Sequence, residues 1–226
     1  MRGFVGQTRS SKLLHKLSQL GIGEATQPDE FPPRRLPYFL DNGAFKLWTA
    51  GLPFNEERFM RVVQRVDEEG PRPEFIVAPD RVADPGSLEY SLSWVPRLQG
   101  IAPLALVVQD GMTEDAVRAA VKKGFSVLFV GGTLKWKFDT SPQWVRLAKE
   151  LGIPCHIGRV GTRGRARWAR EIGADSVDSC TPLFSTGNLD RWVQGMRDEF
   201  QGSLFGPPPP RPKEHGIVRK NKRAEP

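Results

Sequence analysis

Cysteine is nearly missing from this chain of 226 residues: there are two, Cys155 and Cys180, and neither stands in a CxxC pair or beside clustered histidines. That argues against a disulfide framework and against a structural zinc, whose usual ligands are not there. Long hydrophobic runs are missing as well. No apolar stretch approaches the roughly 20 residues that span a bilayer, and no basic segment followed by an apolar one opens the chain. The expectation is a soluble, cytoplasmic protein with no metal and no membrane contact.

What is present is enough apolar material for one barrel-sized core, 38% of residues, and an excess of positive charge. Thirty-three Lys and Arg against 26 Asp and Glu leave a formal +7, which suits an anionic partner without identifying it. Short apolar runs recur, most of them followed by a segment of helical period: GFVG (3–6), IGEAT (22–26), PYFLD (37–41), EFIVAPD (74–80), LALVVQD (104–110), SVLFVGG (126–132), CHIGRV (155–160) and ADSVDS (174–179). Three of the intervening helices carry end signals. One is capped by Asn55 and closed by Gly70, one runs from Thr113 to Gly124, and one starts at Ser141 with Pro142 in its first turn and ends at Gly152. Eight strands separated by helices predict an α/β protein, a (β/α)8 TIM-like barrel over residues 1–202, with a doubly wound open sheet as the alternative. From 203 to 226 the proline tetrad and the closing Lys and Arg predict a disordered basic tail, for solubility or for nonspecific contact with phosphates.

In such a barrel the chemistry lies where strands end. Asp41, Asp80, Gln109, Asp110 and Asp178 all fall there. One acid at a strand end can be a helix cap or a turn former, but several converging acids repel one another and are not explained by capping. Gly131 and Gly132 either make a tight turn or admit a ligand to backbone N–H groups. Phe45, four residues past Asp41, can stack on a planar ligand. The basic run from Arg159 to Arg170 is either a solvated helix face or, through Arg159 and Arg163, a phosphate contact. His156 lies within a strand run and reads as a core histidine, and Trp136, Trp144, Trp168 and Trp192 read as core or interface aromatics. Alternation along GADSVDSC (173–180) puts Ser176 and Asp178 on one face and Asp175 on the other, where it reads as structural.

In order, DNGAF, APD, VVQDG, FVGGT, GRVGT and GADSVDSC resemble the motifs of the tRNA-guanine transglycosylase superfamily, and more closely its short deazapurine DNA-modifying relatives of phages and bacteria. The resemblance covers residues 41–180. It implies a barrel without the zinc-binding insertion, acting in a bacterial or phage-infected cell to replace guanine in DNA by a 7-deazaguanine. In that reading Asp178 is the nucleophile and Asp41 the acid/base. Asp80 reads the base, and Gln109, Gly131, Gly132, Phe45 and Arg159 line the pocket, with no cofactor. Action on RNA, a noncatalytic nucleic-acid-binding subunit working with a protein partner, and a barrel acting on a small phosphorylated or nucleoside substrate are the alternatives.

Overall fold

A computed structural model describes residues 1–33 and 35–197, so the 203–226 tail lies outside the described residues. Eight parallel strands close into one barrel in sequence order: β1 (Arg2–Val5), β2 (Gly23–Thr26), β3 (Tyr38–Leu40), β4 (Ile76–Val77), β5 (Leu104–Val108), β6 (Val127–Val130), β7 (Cys155–Ile157) and β8 (Ser176–Asp178). Closure is made by β1 pairing with β8, Phe4 opposite Asp178. This is the TIM-like barrel, and the open sheet is excluded. The helices are α1 (Ser11–Gln19), α2 (Ala44–Thr49), α3 (Glu56–Glu69), α4 (Ser87–Leu98), α5 (Glu114–Val121), α6 (Leu134–Leu151), α7 (Arg163–Glu171) and α8 (Thr186–Arg197). Among the described residues no helix joins β2 to β3, while two follow β3.

Local chemistry accounts for most helix starts. Asn55, Thr113 and Thr162 each accept, through the side chain, an N–H of the first turn of α3, α5 and α7. The start expected at Ser141 is corrected: α6 begins at Leu134, and Pro142 lies inside it. Its buried residues Lys137, Phe138, Ser141, Trp144, Val145 and Ala148 keep one helical stripe through the proline. The beginning is fixed from outside the helix, because the Asp110 carboxylate accepts both the Thr133 N–H and its hydroxyl at 2.8 Å.

The alternation of the strands divides the apolar residues into two cores. Val5, Leu40, Ile76, Leu106, Leu128 and Val177 face the helices. Phe4, Phe39, Phe75, Val77, Ala105, Val107 and Val127 fill the barrel, with Phe129 packed against them. Phe39 stacks on Phe75 at 4.7 Å and meets Phe4 edge-on at 5.1 Å. Fully burying a side chain of this size stabilises by roughly 1.5–3 kcal/mol. This aromatic plug fills the lower barrel. No helix of the described residues is long and apolar enough to cross a membrane.

Candidate active site

Above the plug the inward positions turn polar. Strand parity carries Phe39 to Asp41, Val107 to Gln109, and His156 and Ser176 to Gly158 and Asp178, all at the carboxyl ends of the strands. Asp41 accepts the Gly43 N–H at 3.2 Å. Loss of hydration, with smaller help from the nearby charges of Asp178 and Asp80 and against the pull of the Gly43 and Asn42 N–H groups, pushes its carboxyl up to about 7. Asp80, 8% exposed, is pushed up to about 6 by the same desolvation, which hydrogen bonds from Asn42 and Gln109 partly offset.

Asn42 is the staple of this corner. Its amide donates to Asp80 Oδ1 and to the Ala78 carbonyl, both at 2.8 Å, while its oxygen accepts the Ala44 N–H at 2.7 Å. Gln109 is used internally to the same degree. It donates to Ser87 Oγ at 2.6 Å and the Arg81 carbonyl at 3.0 Å, reaches Asp80 Oδ2 at 3.4 Å, and accepts the Ala83 N–H at 3.1 Å. It therefore ties the β4–α4 loop to β5, and its donors and acceptor are engaged.

Asp178 sits over a buried relay. His156, fully buried, has Nδ1 2.8 Å from Ser176 Oγ and Nε2 3.0 Å from Asp178 Oδ1. A neutral ring satisfies both contacts when the serine hydroxyl donates to Nδ1 and Nε2–H donates to the carboxylate. The ring is caged by Phe39 at 5.2 Å, Phe75 at 5.6 Å and Phe129 at 4.5 Å, so its orientation is set by packing as well. Asp178 Oδ1 also accepts the Arg159 N–H at 3.3 Å. Asp175 points outward, its carboxylate accepting the Cys155 N–H at 2.8 Å, in keeping with a structural role.

Arg159 joins three loops. Its backbone is in the left-handed region, φ 61°, its guanidinium donates to the Gly132 carbonyl, and it lies 4.4 Å over the Phe45 ring. One face of Phe45 is thus covered by a cation. The Gly131 N–H donates to the Val108 carbonyl at 2.9 Å, within the barrel ladder. Gly132 needs its φ of 70°, and a Cβ there would lie 2.6 Å from Asp110 Oδ2. The turn is built for packing against β5 and α6.

Behind the site lies Lys137, 1% exposed, whose Nζ donates to the Gly158 carbonyl at 2.5 Å. Burial drives its pKa well below the ordinary lysine value. Sequence reasoning did not single out Lys137, placed Ser176 only on the face of Asp178, and read His156 as a core histidine. The signal for His156 was available: Cys155 and Ile157 are apolar on one side of a strand, which sends His156 to the other, directly below Gly158. Among the described residues no group of three or more His, Cys, Asp or Glu could hold a metal ion. Of the basic run, Arg165 lies over the Phe138 ring at 5.1 Å and Arg167 pairs with Glu171 at 2.8 Å, so part of it serves the helix face.

No family model and no curated protein matches this chain. Solved structures do. A mandelate oxidase mutant carrying the monooxide FMN adduct matches with a TM-score of 0.51 and 15% identity, over 86% of this chain and 67% of that one. Mandelate oxidase with a substituted hydroxy-methylphenylacetate gives 0.52 and 14% over 86% and 68%, and with a difluoro hydroxyphenylpropionic acid 0.53 and 14% over 86% and 70%. At this identity the likeness establishes the barrel. It also corrects the expected function: these structures are oxidases and not transglycosylases, so exchange of guanine in DNA or RNA by a pentosyltransferase, or support of such an enzyme, is withdrawn.

Proposed function

We propose that this chain is a barrel hydrolase in which Asp178 takes the proton of an attacking water and Asp41 donates a proton to the leaving group. One observation carries the reading: the two carboxylates share a mouth and have opposite surroundings. Asp178 Oδ1 receives His156 Nε2 at 3.0 Å and the Arg159 N–H at 3.3 Å, whereas Asp41 has the Gly43 N–H at 3.2 Å and a carboxyl pushed up to about 7. Separated environments of this kind divide two carboxyls into acid and base. The balance is simple. Water's oxygen bonds to the substrate's carbon or phosphorus, the bond to the leaving group breaks, one proton goes from water to Asp178, and one passes from Asp41 to the leaving group. Asp80, gripped by Asn42 and Gln109, is the acceptor for an N–H or O–H of the substrate.

The flavin of the oxidases does not fit these residues. A flavin phosphate requires free N–H donors at a loop and helix start. In the β7–α7 loop, Arg159 N–H goes to Asp178 Oδ1 and Val160 N–H to the Asp178 carbonyl at 2.7 Å, while a Cβ on Gly161 would meet Thr181 Oγ1 at 2.5 Å. The loop is packed down on β8, and the Asp178 carboxylate lies against its backbone. The six ordered motifs support a mouth architecture shared with the transglycosylase superfamily, and they do not bring its reaction to this chain.

The test uses purified protein and a panel of nitrophenyl esters, glycosides and phosphates together with free nucleosides. We expect hydrolysis of one class, falling as pH rises through about 7 and lost in Asp178→Asn. Hydrolysis of none, or a rate untouched by Asp178→Asn in a folded protein, overturns the reading.

A further inference from the structure

Lys137 is a buried ionisable group that the proposed reaction leaves idle. It lies in the first turn of α6, 1% exposed, and among the described residues its Nζ makes one hydrogen bond, to the Gly158 carbonyl. The place is a poor one for an amine. Burial strips its hydration, the start of a helix disfavours a cation, and the guanidinium groups of Arg159 in the β7–α7 loop and Arg165 in α7 face it, countered by Asp178 of β8 and Asp110 after β5. One hydrogen bond for a group with two or three N–H donors does not offset these terms, so packing alone does not account for a lysine here. So deeply buried, it does not touch a substrate either. Its effect has to pass through Gly158.

The carbonyl of Gly158 and the N–H of Arg159 belong to one planar peptide group. Its oxygen accepts from Lys137 Nζ, and at its other end the Arg159 N–H donates to Asp178 Oδ1 at 3.3 Å. Lysine, peptide and carboxylate thus form one hydrogen-bonded chain, in which a donor on the carbonyl strengthens the N–H beyond it. The peptide also stands under strain. Arg159 has φ 61°, a left-handed conformation that costs a residue with a side chain about 1–2 kcal/mol. Turning the peptide over would return Arg159 to negative φ, and Gly158, with no side chain, would not resist the matching change in its own ψ. That turn takes the N–H away from Asp178. Lys137 opposes it from one end and the carboxylate from the other.

We propose that Lys137 is a positioning residue for Asp178: its Nζ pins the Gly158–Arg159 peptide in the orientation that holds Oδ1 and leaves Oδ2 to the attacking water. Among the described residues both donors to this carboxylate, His156 Nε2 and the Arg159 N–H, fall on Oδ1. The role in turnover rests on the hydrolase reading, and the pinning of the peptide does not.

Lys137→Met keeps the stem and removes the donor, and Lys135→Met, at a residue on the outside of α6 paired with Asp139, is the control. Two readouts separate the claims: amide hydrogen exchange followed by NMR, and kcat and KM on whichever substrate the parent hydrolyses. In Lys137→Met the Arg159 N–H should exchange about tenfold faster or more, while Ile157 and Val177 in the flanking strands stay protected as in the parent. There kcat should fall about 10- to 100-fold with KM little changed. Lys135→Met should match the parent in both readouts. Lys137→Gln, which retains a shorter donor, should lie between parent and Lys137→Met, and it serves in the same comparison if Lys137→Met does not fold. Unchanged exchange at Arg159, or exchange accelerated equally along β7 and β8, overturns the pin. Faster exchange at Arg159 with the parent's kcat overturns the role in turnover. If the parent hydrolyses no substrate, the hydrolase reading falls, and exchange at Arg159 still decides the pin.

Discussion

Replacing Asp41 by asparagine should stabilise the protein, by an amount that grows as pH rises from about 4 to about 7 and is then constant. The carboxyl is raised from its ordinary 3.8 to about 7 in the folded chain. Between those two values the folded protein holds a proton that the unfolded chain has released, so stability falls as pH rises from about 4 to about 7 and is flat above. A shift of about three units corresponds to about 4 kcal/mol, an upper figure because water can relax around a half-buried charge. Asparagine keeps the shape and an oxygen to accept the Gly43 N–H. It cannot ionise, so it avoids the loss. Urea unfolding of both proteins at pH 4.5 and pH 8.5 measures the effect. The midpoints should nearly coincide at the lower pH and separate by about 1 M at the higher, asparagine being the more stable. Groups common to both proteins cancel in the difference. A separation of the same size at both pH values, or a less stable variant at pH 8.5, refutes the claim that this carboxyl is ionised against the field of its surroundings.

His156→Phe fits the aromatic cage but removes the partner of both Ser176 and Asp178; turnover should fall at least a hundredfold while the circular dichroism spectrum and cooperative melting persist. Asn42→Ala leaves the Ala78 carbonyl and one Asp80 oxygen without a donor in a buried corner, a loss of about 3 kcal/mol by urea unfolding. Asp80 should then titrate higher, visible as a raised midpoint in carboxyl-labelled NMR. Trp192→Ala, at a fully buried indole whose N–H serves the Val160 carbonyl, should cost about 3–5 kcal/mol, read as a lowered melting temperature.

The barrel was legible because strands and helices announce themselves through period and punctuation, and all eight strands fall within a few residues of their apolar runs. Caps made by a neighbouring side chain, such as Asn55 and Thr113, were legible for the same reason. The start of α6 was not, since the group that fixes it, Asp110, lies 23 residues upstream of Thr133 and becomes its neighbour only when β5 and β6 pair. The acids of the mouth could be picked out one by one, but not what holds them. That Gln109 is fully engaged with Ser87, Arg81 and Ala83, or that Lys137 supports Gly158 from behind, depends on contacts across the closed barrel. The reaction was the least legible part. Short motifs record which residue types meet at a strand end, and two carboxylates can serve several chemistries.

The aromatic plug and the carboxylate mouth belong to one argument. Phe39, Phe75 and Phe129 fill the barrel beneath the acids, and burial above such a layer raises Asp41 and Asp80 instead of leaving them as ordinary surface carboxylates. Were all three acids treated alike, their mutual repulsion would protonate whichever was least supported and leave none with an assigned task. The barrel breaks the equivalence. Asp80 is held by two amides, and Asp178 by an imidazole and a backbone N–H. Asp41 has only backbone N–H groups to hold it, and keeps its proton to higher pH than Asp80 does. His156 is the hinge of this arrangement because it reaches from the aromatic layer to the polar one, locked by rings below and bonded to a carboxylate above. Substituting any ring of the cage by leucine should loosen the imidazole and so weaken the division between Asp178 and Asp41 before it unfolds the barrel.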